Sequence, residues 1–273
     1  VPMTYGIRFA VWLDEVRRHR SRLTAAMHRN AVGKIAGATG SHTALGVKGL
    51  ELQHRVLDSL GLEVPVATTQ IIQRDRLAEA ILALANLSAS IDKMATDLRN
   101  LQRTEIAETY EPFAEGRQVG SSAMPHKRNP VTLEKICGLA RVVRSHAAPA
   151  LEDVVSWEER DISHSSTERF IVPQAFILTD YIVREMTRVL EGLAIDEAAV
   201  VRNLALSKDS ILSEYVVTVL TQAGMERPKA HETLRKLSSA AKASGLNLLS
   251  VVAEDPEVSR SLGSTKLNIE AYY

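Results

Sequence analysis

Apolar residues recur at three- and four-residue steps over several long stretches of the chain. These stretches run from Met3 to about Ile35, from about Arg76 to Glu108, from Pro130 to about Leu151, and from about Glu168 to Leu193. Such spacing places the apolar residues on one face of an α-helix. The alternation typical of β-strands is absent from the sequence. Because helices of this length exceed the usual globular length, the pattern predicts a long-helix bundle.

Glycine, proline and capping residues divide the rest of the chain. A glycine-rich tract over residues 33–49 precedes a short helical pattern from Glu51 to Leu60, and Pro65 to Thr69 is predicted to be extended. Asp196 has the character of an N-cap for a series of shorter helices. We therefore predict an all-α fold, with a central long-helix bundle domain over residues 1–195 and a small C-terminal helical domain over residues 196–273.

Composition narrows the class of protein and of partner. Lys and Arg number 33 and so do Asp and Glu, which gives no basic excess that would favour nucleic acid. The sequence contains no apolar run of membrane-spanning length and no charged-then-apolar leader. The single Cys137 excludes an internal disulfide and predicts a reduced, buried thiol in a cytoplasmic protein. Long apolar helix faces with only 4% aromatic residues predict a homo-oligomer.

Residues 120–130, with the sequence GSSAMPHKRNP, form the most informative segment. In isolation, the segment is explained by a solvated loop that precedes a helix. Alternatively, the charge of Lys127 and the amide of Asn129 could bind an anionic substrate. The segment resembles the shared loop of the fumarase and aspartase superfamily, whose members release fumarate or a close relative by elimination.

This resemblance implies a role for each polar residue of the loop. Ser121 corresponds to the general base, and its alkoxide requires nearby positive charge and exclusion of water. Lys127 and Asn129 would hold the carboxylate on which negative charge develops, which is the main catalytic demand. Ser122 and Met124 are predicted to line the substrate site. His126 could take part in binding or could be a solvated loop residue.

Glu134 follows the loop by about one helical turn. In the superfamily, a glutamate at this spacing pairs with a histidine general acid and holds its tautomer and charge. Alternatively, Glu134 complements the helix dipole, an effect of about 0.3–1 kcal/mol. The two roles are compatible.

Residues 157–169, with the sequence WEERDISHSSTER, place two arginines around a serine-rich turn. Guanidinium groups and hydroxyls together suit phosphate or carboxylate. The alternative is a helix cap formed by Ser165 or Ser166, with Arg169 solvated. The segment resembles the adenylosuccinate lyases, and this implies that Arg160, Ser165 and Arg169 bind the nucleotide and succinyl groups of a substrate.

Residues 68–76, with the sequence TTQIIQRDR, resemble the same family. The resemblance implies that Gln70 contacts the substrate through its amide, with Thr69 beside it as a weaker candidate. For Arg74 and Asp75 we favour a structural role, as an internal ion pair at the start of the following helix.

The resemblance to the adenylosuccinate lyases covers nearly the whole chain. It implies elimination of fumarate from adenylosuccinate and from succinyl-aminoimidazole carboxamide ribotide in purine biosynthesis, by homotetramers with shared active sites. Three alternatives remain open: a 3-carboxy-cis,cis-muconate cycloisomerase, an argininosuccinate lyase, and a helical scaffold without activity. The family's general-acid histidine and its Thr-His-Gly motif would precede Val1. We therefore expect a fragment of a longer protein, with little or no turnover alone.

No cofactor is expected for this chemistry, because the elimination requires only an acid, a base and charge stabilisation. The histidines show no paired spacing with Cys or carboxylates that would predict a metal site. The glycine-rich tract lacks the Lys-Ser/Thr ending of a phosphate loop, so it is interpreted as a turn region.

Overall fold

A computed structural model describes residues 3–113, 128–263, 265 and 267. Most of the described residues are helical, which confirms the predicted all-α class. The helices are α1 (Tyr5–Asn30), α2 (Gly49–Ser59), α3 (Asp75–Leu101), α4 (Val131–Ser145), α5 (Ala147–Glu152), α6 (Ser163–Glu191), α7 (Glu197–Ala205), α8 (Ser213–Gln222), α9 (Arg227–Ser244), α10 (Leu248–Glu254) and α11 (Pro256–Leu262). Short 3₁₀ helices occupy Thr43–Lys48 and Ser210–Leu212, and the two-residue strands are β1 (Thr109–Tyr110) and β2 (Ala194–Ile195).

The chain divides into two compact units. The long-helix unit comprises Trp12–Thr104 and Thr109–Ala194. The C-terminal unit comprises Val1–Val11, Glu105–Glu108 and Ile195–Tyr273.

Helix α3 is the central element of the long-helix unit, and it packs against α4 and α6. Helix α1 runs antiparallel to it, because Lys93 pairs with Glu15 whereas the Nε atom of Arg29 donates to Glu79 at 2.7 Å. Helices α3 and α4 share a core in which Ile81, Leu98, Leu133 and Ile136 are completely buried. The apolar periodicity of the sequence therefore corresponds to the faces that these helices bury.

One polar cluster is buried between α1 and α3. The ring Nε2 of His19 lies 2.8 Å from the hydroxyl of Ser90, which in turn donates to the carboxylate of Glu15. Since the single hydroxyl proton of Ser90 goes to Glu15, His19 must donate through Nε2–H. Burial lowers the pKa of His19, and this favours the neutral ring.

Four helix limits differ from those predicted. Helix α1 ends at Asn30 rather than at about Ile35. The predicted helix over residues 130–151 is broken at His146, because Pro149 lacks an N–H and its ring clashes with the carbonyl of residue 145. The predicted helix from about Arg76 ends at Leu101 rather than Glu108, and Ala107 has a φ of +56°, which a helix cannot continue. Helix α6 begins at Ser163, five residues before the predicted start.

The C-terminal unit has a core of its own. Side chains from α8 to α11 form this core, including the fully buried Val216, Leu220, Ala230 and Val252. Carboxylates cap two of its helices: Asp196 accepts from the backbone N–H of Ala199 at 2.9 Å, and Asp255 caps α11 in the same manner.

Two further observations concern Cys137 and the membrane. Cys137 is a buried free thiol, as predicted. Within the part of the chain that the structure describes, no helix combines the length and apolar character needed to cross a bilayer.

Truncation of Ile136 tests the α3–α4 core. We expect Ile136→Ala to lower the free energy of unfolding by about 2–5 kcal/mol, because it leaves a cavity in a close-packed interior. Val142→Ala on the same helix is the matched control, since that side chain is 40% exposed. Urea unfolding followed by circular dichroism measures both. Equal losses for the two variants would contradict the assigned packing.

Candidate active site

The residues predicted to form the site fall into three groups in the structure. Ser121, Ser122, Met124, His126 and Lys127 lie outside the described residues. Asn129 and Glu134 lie at the start of α4. The remaining predicted residues belong to the two segments 68–76 and 157–169.

The start of α4 is capped by a carboxylate that is distant in sequence. Glu111 is 5% exposed, and its two carboxylate oxygens accept from the backbone N–H groups of Thr132 and Leu133, each at 3.0 Å. These amides belong to the first turn, where a helix has no internal acceptors. The negative charge also complements the positive end of the helix dipole. Glu111 therefore fixes the start of the helix that follows the predicted catalytic loop.

Gln102 extends this network to the loop itself. Its side-chain oxygen accepts from the backbone N–H of Glu111 at 3.0 Å, and its amide nitrogen donates to the carbonyl of Arg128 at 3.3 Å. The guanidinium of Arg128 lies 5.1 Å from the centre of the Phe113 ring, within the range of a cation–π contact. Asn129 lines a cavity of about 260 Å³ beside these residues. The described end of the loop is thus held in one place.

Glu134 lies in the first turn of α4 with its side chain half exposed. Its carboxylate is 3.9 Å from the guanidinium of Arg99, a distance at which an exposed pair contributes little. The carboxylate therefore remains accessible to another partner, as the predicted pairing with a histidine requires.

The segment around Gln70 is held from two sides. The ammonium group of Lys34 donates to the carbonyls of Gln70, Gly37 and Thr69 at 2.7, 2.8 and 3.2 Å. Desolvation by burial lowers the pKa of Lys34. The backbone N–H of Gln70 donates to the carbonyl of Glu159 at 3.3 Å. The segment 68–76 therefore lies directly beside the segment 157–169, while the side chain of Gln70 is exposed.

The glycine-rich tract also contacts this segment. Gly40 has a φ of +78°, and a Cβ atom there would lie 1.9 Å from the carbonyl oxygen of Thr68. Only glycine fits such an approach. The tract is a turn region, as predicted, and it packs on the backbone next to Thr69 and Gln70.

An ion pair joins the same two segments at the start of α3. The Nε of Arg74 lies 2.7 Å from a carboxylate oxygen of Glu168, and both side chains are less than one quarter exposed. The predicted ion pair between Arg74 and Asp75 is therefore wrong, since neighbouring residues at a helix start do not face each other. The structural role predicted for Arg74 is retained with a different partner.

Two further titratable groups lie buried beside this pair. Asp153 is 7% exposed and His164 is 1% exposed. Burial raises the pKa of Asp153, and a hydrogen bond from Thr167 together with the charges of His164 and Arg74 opposes that rise. Asp153 and His164 are therefore buried polar groups close to Arg74, at the junction of the two segments.

The start of α6 is organised by Asp161. Its carboxylate accepts from the backbone N–H groups of Ser163 at 2.8 Å and Trp157 at 2.9 Å. A hydrogen bond from the Ser163 hydroxyl, together with these backbone bonds, lowers the pKa of Asp161 to about 2. The alternative helix cap at Ser165 or Ser166 is therefore wrong, because the helix begins earlier, beside Asp161.

This arrangement presents three predicted binding residues toward one end of the bundle. Arg160 is exposed in the loop before α6, Ser165 is partly exposed in its first turn, and Arg169 is exposed in its second turn. Their donors are suited to an anionic ligand.

The two described groups of candidate residues lie at opposite ends of α3. Gln70 precedes this 27-residue helix, whereas Gln102, which binds the backbone beside Asn129, follows it. A helix of that length spans about 40 Å. Helix α6 repeats the separation, with Arg169 near its start and Gly192, which lines the Asn129 cavity, after its end. A single chain therefore does not bring Gln70 and Asn129 into one site.

Sequence patterns did not reveal several residues that shape the site. Lys34, Glu111 and Asp153 act through contacts with residues distant in the chain. The available signal for Glu111 was a lone acidic residue between Tyr110 and Pro112. Among residues that the structure describes, no group of three or more His, Cys, Asp or Glu side chains could hold a metal ion.

Two family models match the chain. Residues 1–145 match a model described as "Lyase", and residues 209–271 match one described as "Adenylosuccinate lyase C-terminus". The adenylosuccinate lyase of Pyrococcus abyssi is 46% identical over 98% of this chain, and the match covers 59% of that relative. The chain thus spans about three fifths of the length of the curated relatives that it matches.

Solved structures share the fold. A fumarate lyase from Mesorhizobium sp. BNC1 superposes with a TM-score of 0.86 at 31% identity, covering 96% of this chain and 58% of that one. A 3-carboxy-cis,cis-muconate lactonizing enzyme from Pseudomonas putida gives 0.84 at 32% identity, with coverage of 96% and 57%.

Removal of the Glu111 carboxylate tests its capping role. We expect Glu111→Ala to lower the free energy of unfolding by about 2–3 kcal/mol, because two helix-start amides lose a charged acceptor. Glu152→Ala, which removes an exposed carboxylate at the end of α5, should change it by less than about 0.5 kcal/mol. Chemical denaturation of both variants gives the comparison. A Glu111→Ala protein as stable as the control would show that the cap contributes nothing.

Proposed function

The chain belongs to the lyase family, and we propose that it forms part of an adenylosuccinate lyase. In this proposal, the complete enzyme releases fumarate from adenylosuccinate, giving AMP, and from succinyl-aminoimidazole carboxamide ribotide in purine biosynthesis. The match of the C-terminal residues to the adenylosuccinate lyase model and the 46% identity to such an enzyme support the substrate class.

The observation that carries the proposal is the joining of segments 68–76 and 157–169. Gln70, Arg160 and Arg169 are exposed at the same end of the bundle. The backbone hydrogen bond between Gln70 and Glu159 and the ion pair between Arg74 and Glu168 join the two segments there. Amide, hydroxyl and guanidinium groups match the phosphate and carboxylates of a succinylated nucleotide. Thr69 and Ser165 would add hydroxyl donors.

The proposed reaction begins with proton abstraction. Ser121, as alkoxide, removes a proton from the succinyl carbon next to the one that carries nitrogen. The electrons of the broken C–H bond pass to the adjacent carboxylate, where Lys127 and Asn129 stabilise the charge. Ser122 and Met124 line the substrate site.

Cleavage of the carbon–nitrogen bond completes the elimination. The electrons return to form the carbon–carbon double bond of fumarate, and the departing nitrogen takes a proton from a general acid. We assign Glu134 the role of orienting that acid, which the family resemblance gives as a histidine. No step in this scheme requires a metal or an organic cofactor.

A second copy of the chain would supply the missing half of each site. The 27-residue helix α3, about 40 Å long, separates Gln70 from Asn129, so a complete site needs residues from more than one subunit. An apolar groove of about 460 Å³ between α1, α3 and α6 is open on the surface of the long-helix unit. Large exposed apolar side chains such as Met27, Phe170 and Ile177 lie on α1 and α6. Such surfaces mark subunit contacts, which supports a homo-oligomer, proposed here as a tetramer in the cytoplasm.

A muconate cycloisomerase is the second candidate. The 32% identity to the Pseudomonas putida lactonizing enzyme favours it, but it is lower than the identity to the adenylosuccinate lyase. Absorbance assays of the complete protein with adenylosuccinate, argininosuccinate and 3-carboxymuconate separate the candidate activities. Nucleotide binding without turnover of any substrate would instead indicate an inactive scaffold.

Replacement of the proposed base tests the chemistry. In the complete protein, we expect Ser121→Ala to lower the turnover of adenylosuccinate by at least about 100-fold, the usual range for loss of a general base. AMP binding, measured by calorimetry, should remain. Ser145→Ala removes an exposed hydroxyl at the end of α4 and should leave turnover unchanged. Normal turnover by Ser121→Ala would rule out the proposed base.

Mixing of two inactive variants tests the shared site. Arg169→Ala and Ser121→Ala proteins, each inactive alone, should recover about one quarter of wild-type turnover after subunit exchange, because random mixing pairs two intact halves in that fraction of sites. An Arg169→Ala/Ser121→Ala double variant mixed with itself is the control. No recovery, despite mixed oligomers seen by mass spectrometry, would place the whole site in one chain.

A further inference from the structure

A separate cavity lies in the C-terminal unit, between the start of α8 and one face of α9. Its volume is about 540 Å³, within the range of small-molecule sites. None of its lining residues belongs to the three segments assigned to the lyase reaction.

Helix α9 lines this cavity with a stripe of basic residues. Arg227, His231, Arg235 and Lys242 follow each other at steps of four, four and seven residues. These steps place all four side chains on one face of the helix. The stripe extends over about 22 Å of helix axis.

The positive charge of this stripe is only partly neutralised. Arg235 is bound by Glu232 on the same helix, at 2.7 and 2.8 Å. Arg227 and Lys242 have no carboxylate within 4.0 Å in the part of the chain that the structure describes. Glu214 is the single acidic residue among those lining the cavity in the described structure. The cavity wall is therefore basic.

This basic character is local rather than general. Residues 195–273 contain nine Lys and Arg residues and ten Asp and Glu residues. A nucleic-acid surface would require an extended basic excess, which this part of the sequence lacks. A small anion fits the distribution of charge better.

The remaining lining residues indicate which chemical groups the ligand carries. Ser213, Ser238 and Ser239 supply hydroxyl donors. Val217 and Leu234 are buried core residues that form an apolar floor. A ligand that matches all these features has several linked anionic groups and one apolar ring.

We propose that the α8–α9 cavity binds a nucleoside polyphosphate, at a site distinct from the lyase site. Arg235 and Lys242, about 10 Å apart along the helix axis, contact the phosphates, and Arg227 contacts the opposite end of the ligand. The hydroxyls of Ser238 and Ser239 complete the phosphate contacts, and the ring lies against Val217 and Leu234.

Calorimetry on the complete protein, with ATP and inorganic pyrophosphate as probes, measures this binding. The variant R227Q/K242Q should bind ATP at least 10-fold more weakly than wild type. The matched control K229Q/K236Q loses the same charge from the same helix, outside the cavity lining. Equal weakening in both variants would show non-specific attraction and overturn the proposal. ATP should also bind more tightly than pyrophosphate, and equal affinities would contradict a role for the apolar floor.

Hydrogen exchange followed by mass spectrometry locates the binding. ATP should protect peptides that cover residues 213–217 and 227–242 in wild type and in K229Q/K236Q, but not in R227Q/K242Q. Protection confined to residues 68–76 and 157–169 would place the nucleotide in the lyase site and overturn the proposal.

Discussion

The length of α3 is the constraint on which the candidate site depends. This helix keeps the Gln70 segment and the Asn129 segment about 40 Å apart, and α6 repeats the same separation beside it. Rearrangement of a loop cannot cover such a distance. The proposed chemistry therefore requires several copies of the chain. In this proposal, an unassembled subunit has no complete site and cannot catalyse the reaction.

At each end of the bundle, polar groups outside the predicted site hold its backbone in place. Glu111 and Gln102 fix the start of α4, and Lys34 fixes the carbonyls beside Gln70. Glu111 is buried and Lys34 is partly buried, and a hydrogen bond to a charged group is stronger there than at the surface. The residues proposed to bind the substrate therefore lie on a supported backbone, which is the arrangement that precise ligand binding requires.

Much of the fold could be predicted from the sequence because periodicity reports burial directly. The long helices, the Asp196 cap and the buried Cys137 all follow from local patterns. The end of α4 before His146 and the start of α6 at Ser163 were not predicted. Pro149 is a local signal for the first limit and Asp161 for the second. The pairing of Arg74 with Glu168 and the capping by Glu111 could not be predicted, because they join residues that only the tertiary fold brings together.

Gly40 illustrates how such support affects the behaviour of the protein. Any larger residue would push the Thr68 carbonyl aside and shift the neighbouring backbone of Gln70, while the helical core far from this turn would stay packed. Under the proposed function, the loss would appear as a higher Michaelis constant, together with the fall in melting temperature that the strain at this one turn causes. A genetic screen would then class Gly40 with the ligand-binding residues, although its role is to allow the close approach of the backbone.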